Sequence, residues 1–303
     1  MMLPFARVTI IGLGLIGSSV ARAVRHYMPT VALVGHDADP DVRRRADALG
    51  IVDDVTDTIG AAVTDADLVI LCVPVGAMGA AAAEMAADLP ADAIVSDVGS
   101  CKAEVVRALR DALPNATIVP AHPVAGTEQS GPEAGFATLF RGRWCIVTPL
   151  PDGDPAATER VAEFWRRLGS TVEIMAPDHH DRVLAVTSHL PHLIAYTIVG
   201  TANDLAEVTQ SEVIKFSAGG FRDFTRIAAS DPTMWRDVFL ANKDAVLEML
   251  QRFSEDLSHL QRAIRWDDGD TLFDLFSRTR TIRRSIVDQG QDDAAADFGR
   301  KHD

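Results

Sequence analysis

The segment Ile10-Ile11-Gly12-Leu13-Gly14-Leu15-Ile16-Gly17 sets three glycines at G-x-G-x-x-G spacing, between an apolar run that begins at Arg7 and a helical stretch that continues as SSVARAV. A βαβ unit that binds a dinucleotide opens in this way. Gly12 permits the tight turn, Gly14 lets the backbone approach a pyrophosphate, and Gly17 allows the helix to sit close to its strand. The amides that start the helix, at Leu15, Ile16 and Gly17, then face the phosphates. A second apolar run, Val31 to Gly35, ends in His36-Asp37, twenty residues beyond Gly17. An acid at that place accepts hydrogen bonds from the adenosine ribose hydroxyls. Asp37 would repel a 2′-phosphate, which favours NAD over NADP, with Arg43, Arg44 and Arg45 nearby as the opposing feature.

The 303 residues suit two domains of ordinary size. Apolar or β-branched runs near 7–11, 31–35, 68–72, 93–97, 117–120, 144–148 and 171–175 alternate with Ala-rich helical stretches. They are apolar throughout, as expected of strands covered on both faces, and predict an α/β fold with a doubly wound, Rossmann-type parallel sheet. After Ala176-Pro177-Asp178 the strand signals stop and helical periods take over. The expected organisation is a dinucleotide-binding domain over 1–175, an all-helical substrate and dimerisation domain over 176–290, and a polar tail over 291–303. Val246, Leu250, Phe253, Leu257, Leu260 and Ile264 recur at intervals of four and three. That narrow seam serves either packing within its own domain or a subunit interface.

The formal charge is −14, which argues against a nucleic-acid binder and requires that any anionic small-molecule substrate be gripped by a local basic pocket. Cys72, Cys101 and Cys145 are few, odd in number and dispersed, which fits a reducing, cytoplasmic setting and offers no C-x-x-C pair. The apolar N-terminus mimics a signal peptide, but the fingerprint glycines interrupt it. No run of eighteen apolar residues is free of Gly, Pro and charge, so no membrane span is expected.

Ligands of open parallel sheets bind beyond the carboxyl ends of the strands. Cys72-Val73-Pro74, Asp97-Val98-Gly99-Ser100-Cys101-Lys102 and Ala121-His122-Pro123 through Glu128 occupy those ends, which adds Val73 and Pro74 to the cofactor side. His122 is the candidate base, because oxidising an alcohol requires removing its hydroxyl proton as hydride leaves. Ser100 either orients that histidine or the substrate oxygen, or caps the helix that follows. Glu128 is a pocket wall or a solvated acid. His189 and His192 share a helix face, but no third and fourth ligands accompany them, so substrate contact or packing is preferred to zinc. Arg222 pairs with Asp223 or Asp231 or binds substrate, and Arg226 presents a fork suited to a carboxylate. Trp235 is a pocket wall or core.

DVGSCK at 97–102, HPVAGTEQSG at 122–131, SHLPH at 188–192 and FSAGGFRDFTRIAASDPTMWRDVF at 216–239 together resemble the prephenate dehydrogenase family, with its arogenate and cyclohexadienyl members. The resemblance runs from the glycine loop to about residue 285. It implies oxidative decarboxylation of a cyclohexadienol in tyrosine biosynthesis, with hydride passing from C4 to NAD+ and the ring carboxylate leaving as CO2. It also implies that His122 deprotonates the C4 hydroxyl, that Ser100 positions it, that Arg226 binds carboxylate with His192 nearby, and that Glu128 lies on the substrate side. A homodimer through the helical domain is implied as well.

The rival readings are another NAD-dependent hydroxyacid dehydrogenase with a helical C-terminal domain, and a non-catalytic NAD sensor. Dehydrogenases of the first kind place a catalytic lysine early in the second domain, whereas the first lysine after residue 176 here is Lys215. A sensor would need no aligned His and Arg.

Overall fold

A computed structural model of the chain describes residues 3–127, 129–204 and 219–288. In chain order its α/β part comprises β1 (Arg7–Ile11), α1 (Leu15–Tyr27), β2 (Ala32–His36), α2 (Pro40–Ala48), β3 (Asp54–Val55), α3 (Ile59–Val63), β4 (Leu68–Leu71) and α4 (Met78–Met85). It continues through β5 (Ile94–Asp97), α5 (Ala103–Ala112), β6 (Thr117–Ile118), β7 (Ala121–Pro123), β8 (Trp144–Val147), α6 (Pro155–Arg167) and β9 (Thr171–Ile174). Helices follow: α7 (Pro177–Leu184), a π-helical turn (Ala185–His189), α8 (Leu190–Asp204), α9 (Gly219–Thr225), a 3-10 turn (Arg226–Ala229), α10 (Pro232–Ala241), α11 (Lys243–Arg265) and α12 (Gly269–Asp288).

The main sheet has the order β3-β2-β1-β4-β5-β6, and every neighbouring pair is parallel. Successive side chains of a strand serve opposite faces. Ile10 and Ile70 therefore enter a core with Val20 and Val24 of α1, while Ile11, Val69 and Leu71 enter another with Met78, Met85 and Leu109. This is the doubly wound arrangement, and its strand order reverses between β1 and β4, where a crevice for a ligand opens at the carboxyl ends.

The fifth strand departs from expectation. Thr117–Ile118 closes the main sheet, and His122, expected just beyond a strand, lies within β7 and pairs with Ile146 of β8. Pro120 and Pro123 supply no amide to a ladder, and the Pro120 carbonyl instead accepts from Thr148 N–H at 2.9 Å. The chain thereby leaves the main sheet for a second one, β7-β8-β9, in which β7 is antiparallel to β8.

Three helices begin at Asp-Pro pairs. The carboxylates of Asp39, Asp154 and Asp231 accept from Asp41, Ala156 and Met234 N–H respectively, and the proline that follows each occupies a position with no amide to lose. Within the 28-residue helical run Pro177–Asp204, an 18-residue window has a mean hydropathy of 1.4, long and apolar enough by composition to cross a bilayer. His180, Asp181 and His189 are buried on it and hydrogen-bonded to other elements, which ties its first half into the folded unit, while 28% of the apolar window is buried.

The chain divides into two compact units, one through Leu247 and one from Glu248. In the first, α7 packs on α5, and α10 packs on the turn after β4. The polar tail falls outside the described residues.

The glycine loop yields a direct test. A Cβ on Gly17 would lie 1.9 Å from the Gly12 carbonyl oxygen. Gly17→Ala is expected to cost at least ~3 kcal/mol and to lower Tm by roughly 5–10 °C. A melting temperature within a degree of the parent would contradict the close packing of α1 on β1.

Candidate active site

Gly12 has φ +98°, and a Cβ there would meet the Cys72 carbonyl at 2.7 Å and Val73 N at 2.9 Å. The glycine loop and Cys72-Val73-Pro74 therefore abut at the crevice. Gly14 caps α1 without a side-chain hydrogen bond, and a Cβ placed on it would enter open space. The amides of Leu15, Ile16 and Gly17 open the helix, with no acid in its first turn, as a phosphate requires. At the end of β2 the Asp37 carboxylate accepts from Leu13 N–H at 2.8 Å and Asp39 N–H at 2.9 Å. Arg43 is engaged by the Asp37 carbonyl and by Asp57, Arg44 by Asp41, and Arg45 by Glu133. The cradle fits a dinucleotide, and each of the three arginines has an internal partner.

His122 is 8% exposed. Its Nδ1 lies 2.8 Å from His180 Nε2, and His180 Nδ1 lies 2.8 Å from Asp181 Oδ1. The protons follow from the chemistry of the far end. A carboxylate only accepts, so His180 carries its proton on Nδ1 and accepts on Nε2, and His122 donates from Nδ1. Nε2 of His122 is left with its lone pair and keeps access to solvent, with no partner among the described residues.

Burial first, then the charges of His180, Lys102 and His189, pushes the His122 pKa well below the usual imidazole value. Burial also lowers that of His180, against the Asp181 hydrogen bond that would raise it. Burial alone would raise the pKa of Asp181, but the His180 N–H and the amides of Ala103 and Lys102 outweigh it and hold the carboxyl below its ordinary value. Those amides donate at 2.9 and 2.7 Å and are the first of α5. The cap of α5 is thus Asp181, delivered from α7, and not Ser100.

His189 accepts from Asn242 Nδ2 at 3.1 Å, and the same amide donates to the Asp181 carbonyl at 2.8 Å. Burial leads the effects that push its pKa down to about 4. His192 donates from Nδ1 to the Ser188 carbonyl at 2.8 Å and stacks on Trp235, with ring centroids 3.6 Å apart. Its pKa is lowered by burial and by the charge of Arg226, which brings Arg226 of the 3-10 turn to the same neighbourhood. Arg222 pairs with Asp223 at 3.8 Å.

The structure thus gathers His122 with His180, Asp181 and His189, and His192 with Trp235 and Arg226. Ser100 lies between β5 and α5, next to Cys101, while Glu128 lies outside the described residues. Burial raises the thiol of Cys101 to about 12, and those of Cys72 and Cys145 above their usual range, so none of the three serves as a nucleophile at neutral pH. Among the described residues no group of three His, Cys, Asp or Glu is arranged to hold a metal ion. Sequence reasoning missed His180 and Asp181. The signal available was a His-Asp pair in the first turns of a proline-started helix, directly after the last strand.

A neutral imidazole aimed by a buried carboxylate, in a unit that also builds an open dinucleotide cradle, is the equipment of a pyridine-nucleotide dehydrogenase. Comparison with known proteins narrows the class. Residues 20–174 match the prephenate dehydrogenase nucleotide-binding domain, and residues 176–278 match the prephenate dehydrogenase dimerization domain. The chain is 47% identical over 282 residues to cyclohexadienyl dehydrogenase of Zymomonas mobilis, covering 93% of this chain and 96% of that one. It is 33% identical over 277 residues to prephenate dehydrogenase of Bacillus subtilis, covering 91% and 74%. The crystal structure of prephenate dehydrogenase from A. aeolicus in complex with hydroxyphenyl propionate and NAD+ superposes with a TM-score of 0.86 at 35% identity, covering 94% of this chain and 99% of that one. The chain belongs to the prephenate dehydrogenase family and is an NAD-dependent oxidoreductase.

Four histidines with lowered pKa values make stability depend on pH. From pH 6.5 downward the unfolded chain binds protons that buried His122, His180, His189 and His192 refuse, so folding weakens as the pH falls, and for His189 the loss is complete near pH 4. Asp181, whose pKa is also lowered, favours folding while ionised and withdraws its contribution only as the pH falls below 3.8. Tm measured from pH 7.5 to 4.5 should decline below 6.5, and His189→Gln should flatten the slope. A flat profile across that range would contradict buried neutral histidines.

Proposed function

We propose that the chain catalyses oxidative decarboxylation of prephenate, arogenate or both, in tyrosine biosynthesis, with His122 as the base. The observation that carries this assignment is the Asp181–His180–His122 chain, which leaves a lone pair on His122 Nε2. Gly12, Gly14, Leu15, Ile16 and Gly17 would hold the pyrophosphate, with Asp37 at the adenosine ribose and Val73 and Pro74 alongside. Bound there, NAD+ supplies the acceptor for hydride from C4. The engaged arginines and the tethered Asp37 carboxylate support NAD over NADP.

His122 Nε2 takes the C4 hydroxyl proton as that carbon becomes a carbonyl. The bond to the ring carboxylate then breaks, CO2 leaves, and the electron pair aromatises the ring as a phenolate, which recovers the proton from His122. Ser100 orients the hydroxyl. Arg226 holds carboxylate, with His192 beside it on the substrate side, a localised clamp against a net charge of −14. The 47% identity to an enzyme named cyclohexadienyl dehydrogenase supports use of both substrates.

The partner is a second copy of the chain. In the seam anticipated from sequence, Leu257 and Ile264 are exposed on α11, and Phe273, Phe276 and Ile282 are exposed on α12, an apolar surface that suits burial in a dimer. The match to a dimerization domain supports the same assembly. The three free thiols suit the cytoplasm, where we place the enzyme.

Nicotinamide reduction followed with each substrate, under NAD and NADP in turn, tests the activity. His122→Asn should lower kcat by roughly 10²–10⁴-fold with little change in KM. Arg226→Ala should raise KM by roughly 10–100-fold with a smaller effect on kcat. Equal effects on both parameters in both variants would contradict this division of labour. Light scattering should give twice 32.6 kDa, and Leu257→Glu with Ile264→Glu should give the monomer. A monomeric parent protein at micromolar concentration would overturn the dimer.

A further inference from the structure

DVGSCK contributes Ser100 to the proposed chemistry, and its two charged residues remain without a role. Asp97 ends β5, Lys102 precedes α5, and both side chains are 0% exposed in a mutual ion pair. Lys102 Nζ also donates to the Ala121 carbonyl at 2.7 Å, and Asp97 accepts from Ala121 N–H at 3.3 Å and from Gly99 N–H at 2.8 Å. Both main-chain polar groups of the residue before His122 are therefore tied to this pair. The same loop holds the other end of the relay, since the amides of Lys102 and Ala103 receive the Asp181 carboxylate. Burying two charges is costly in desolvation, and a well-packed apolar pair would serve stability as well or better. The pair calls for a reason other than stability.

We propose that Asp97 and Lys102 are positioning residues for His122: the pair fixes the strand segment that carries the imidazole and holds the Lys102 cation against the residue before it. The groups facing His122 are His180 from α7, His189 from the π-helical turn, and Lys102 from the loop before α5. Cys145 on β8 meets its main chain as a neutral thiol. Asp181 lies one residue further along the relay, and Asp97 sits behind Ala121. With both neighbouring histidines shifted toward the neutral form, Lys102 is the cation that acts on His122 at neutral pH.

The proposal rests on His122 being the base, and its test separates the two claims. Asp97→Asn combined with Lys102→Met removes both charges and leaves no unpaired buried ion. NADH affinity should stay within about twofold, kcat should fall ~10-fold, and the acidic limb of the kcat/KM profile should move up by about one pH unit. The sign follows from Lys102, whose charge acts on His122 while Asp97 sits behind Ala121: losing that cation makes the imidazolium easier to form. Lys102→Gln, which keeps a donor for the Ala121 carbonyl, should move the limb in the same direction and serves if the double variant does not fold. A limb that stays in place, with kcat within twofold of the parent, would overturn the proposal. His122→Asn is the control for the base: a limb that survives this change refutes the base assignment, whereas its loss in that variant together with an unmoved limb in the others refutes only the role of Asp97 and Lys102.

Discussion

The carboxylate of Asp181 connects the parts of the first unit on which the chemistry depends. It ends α5 by accepting that helix's first amides, and it sets the tautomer of His180, which sets that of His122. The Asp181 carbonyl takes the Asn242 amide, which also reaches His189. Helix capping and base alignment are therefore one interaction. A carboxylate so committed is held ionised in a buried place, and the neighbouring imidazoles remain neutral because burial penalises their charged forms more than this one anion favours them.

A dehydrogenation that ends in decarboxylation requires a base that is free before substrate arrives and a grip on acid groups that does not neutralise that base. Under the proposed assignment these functions fall on different elements. The lone pair is on β7, in the small second sheet, while Arg226 and His192 belong to the helices that follow. Gly12 is crowded by the chain just after β4 and Gly17 by the Gly12 carbonyl, so neither leaves room for a side chain, yet Gly14 opens onto free space. Crowding at two glycines and room at the third are what a close-fitting but accessible phosphate cradle demands.

The glycine loop, Asp37 and the doubly wound sheet were legible in the sequence, because backbone strain and two-sided burial leave local marks in glycine spacing and unbroken apolar runs. The short strand carrying His122 was not. A three-residue strand that follows one proline and ends in another shows no period, and the pairing of His122 depends on Ile146, far along the chain. His180 and Asp181 escaped notice because their partners lie 58 and 79 residues away, at His122 and Lys102, and burial of a polar side chain is a tertiary property with no local signature. Ser100 illustrates the same limit: of its two readings, capping is excluded only by the Asp181 carboxylate that arrives from α7. The spacing of His189 and His192 suggests a shared helix face, but the stacking of His192 on Trp235 is set by how α8 meets α10.

The protonation pattern of the His122 imidazole decides whether it can act as a base, and nitrogen NMR reads it directly. In protein labelled with 15N-histidine, with His122→Asn used to assign the resonances, the account predicts that at pH 7 Nδ1 of His122 is protonated and Nε2 is bare. A bare Nδ1, or an imidazolium with both nitrogens protonated, would contradict it.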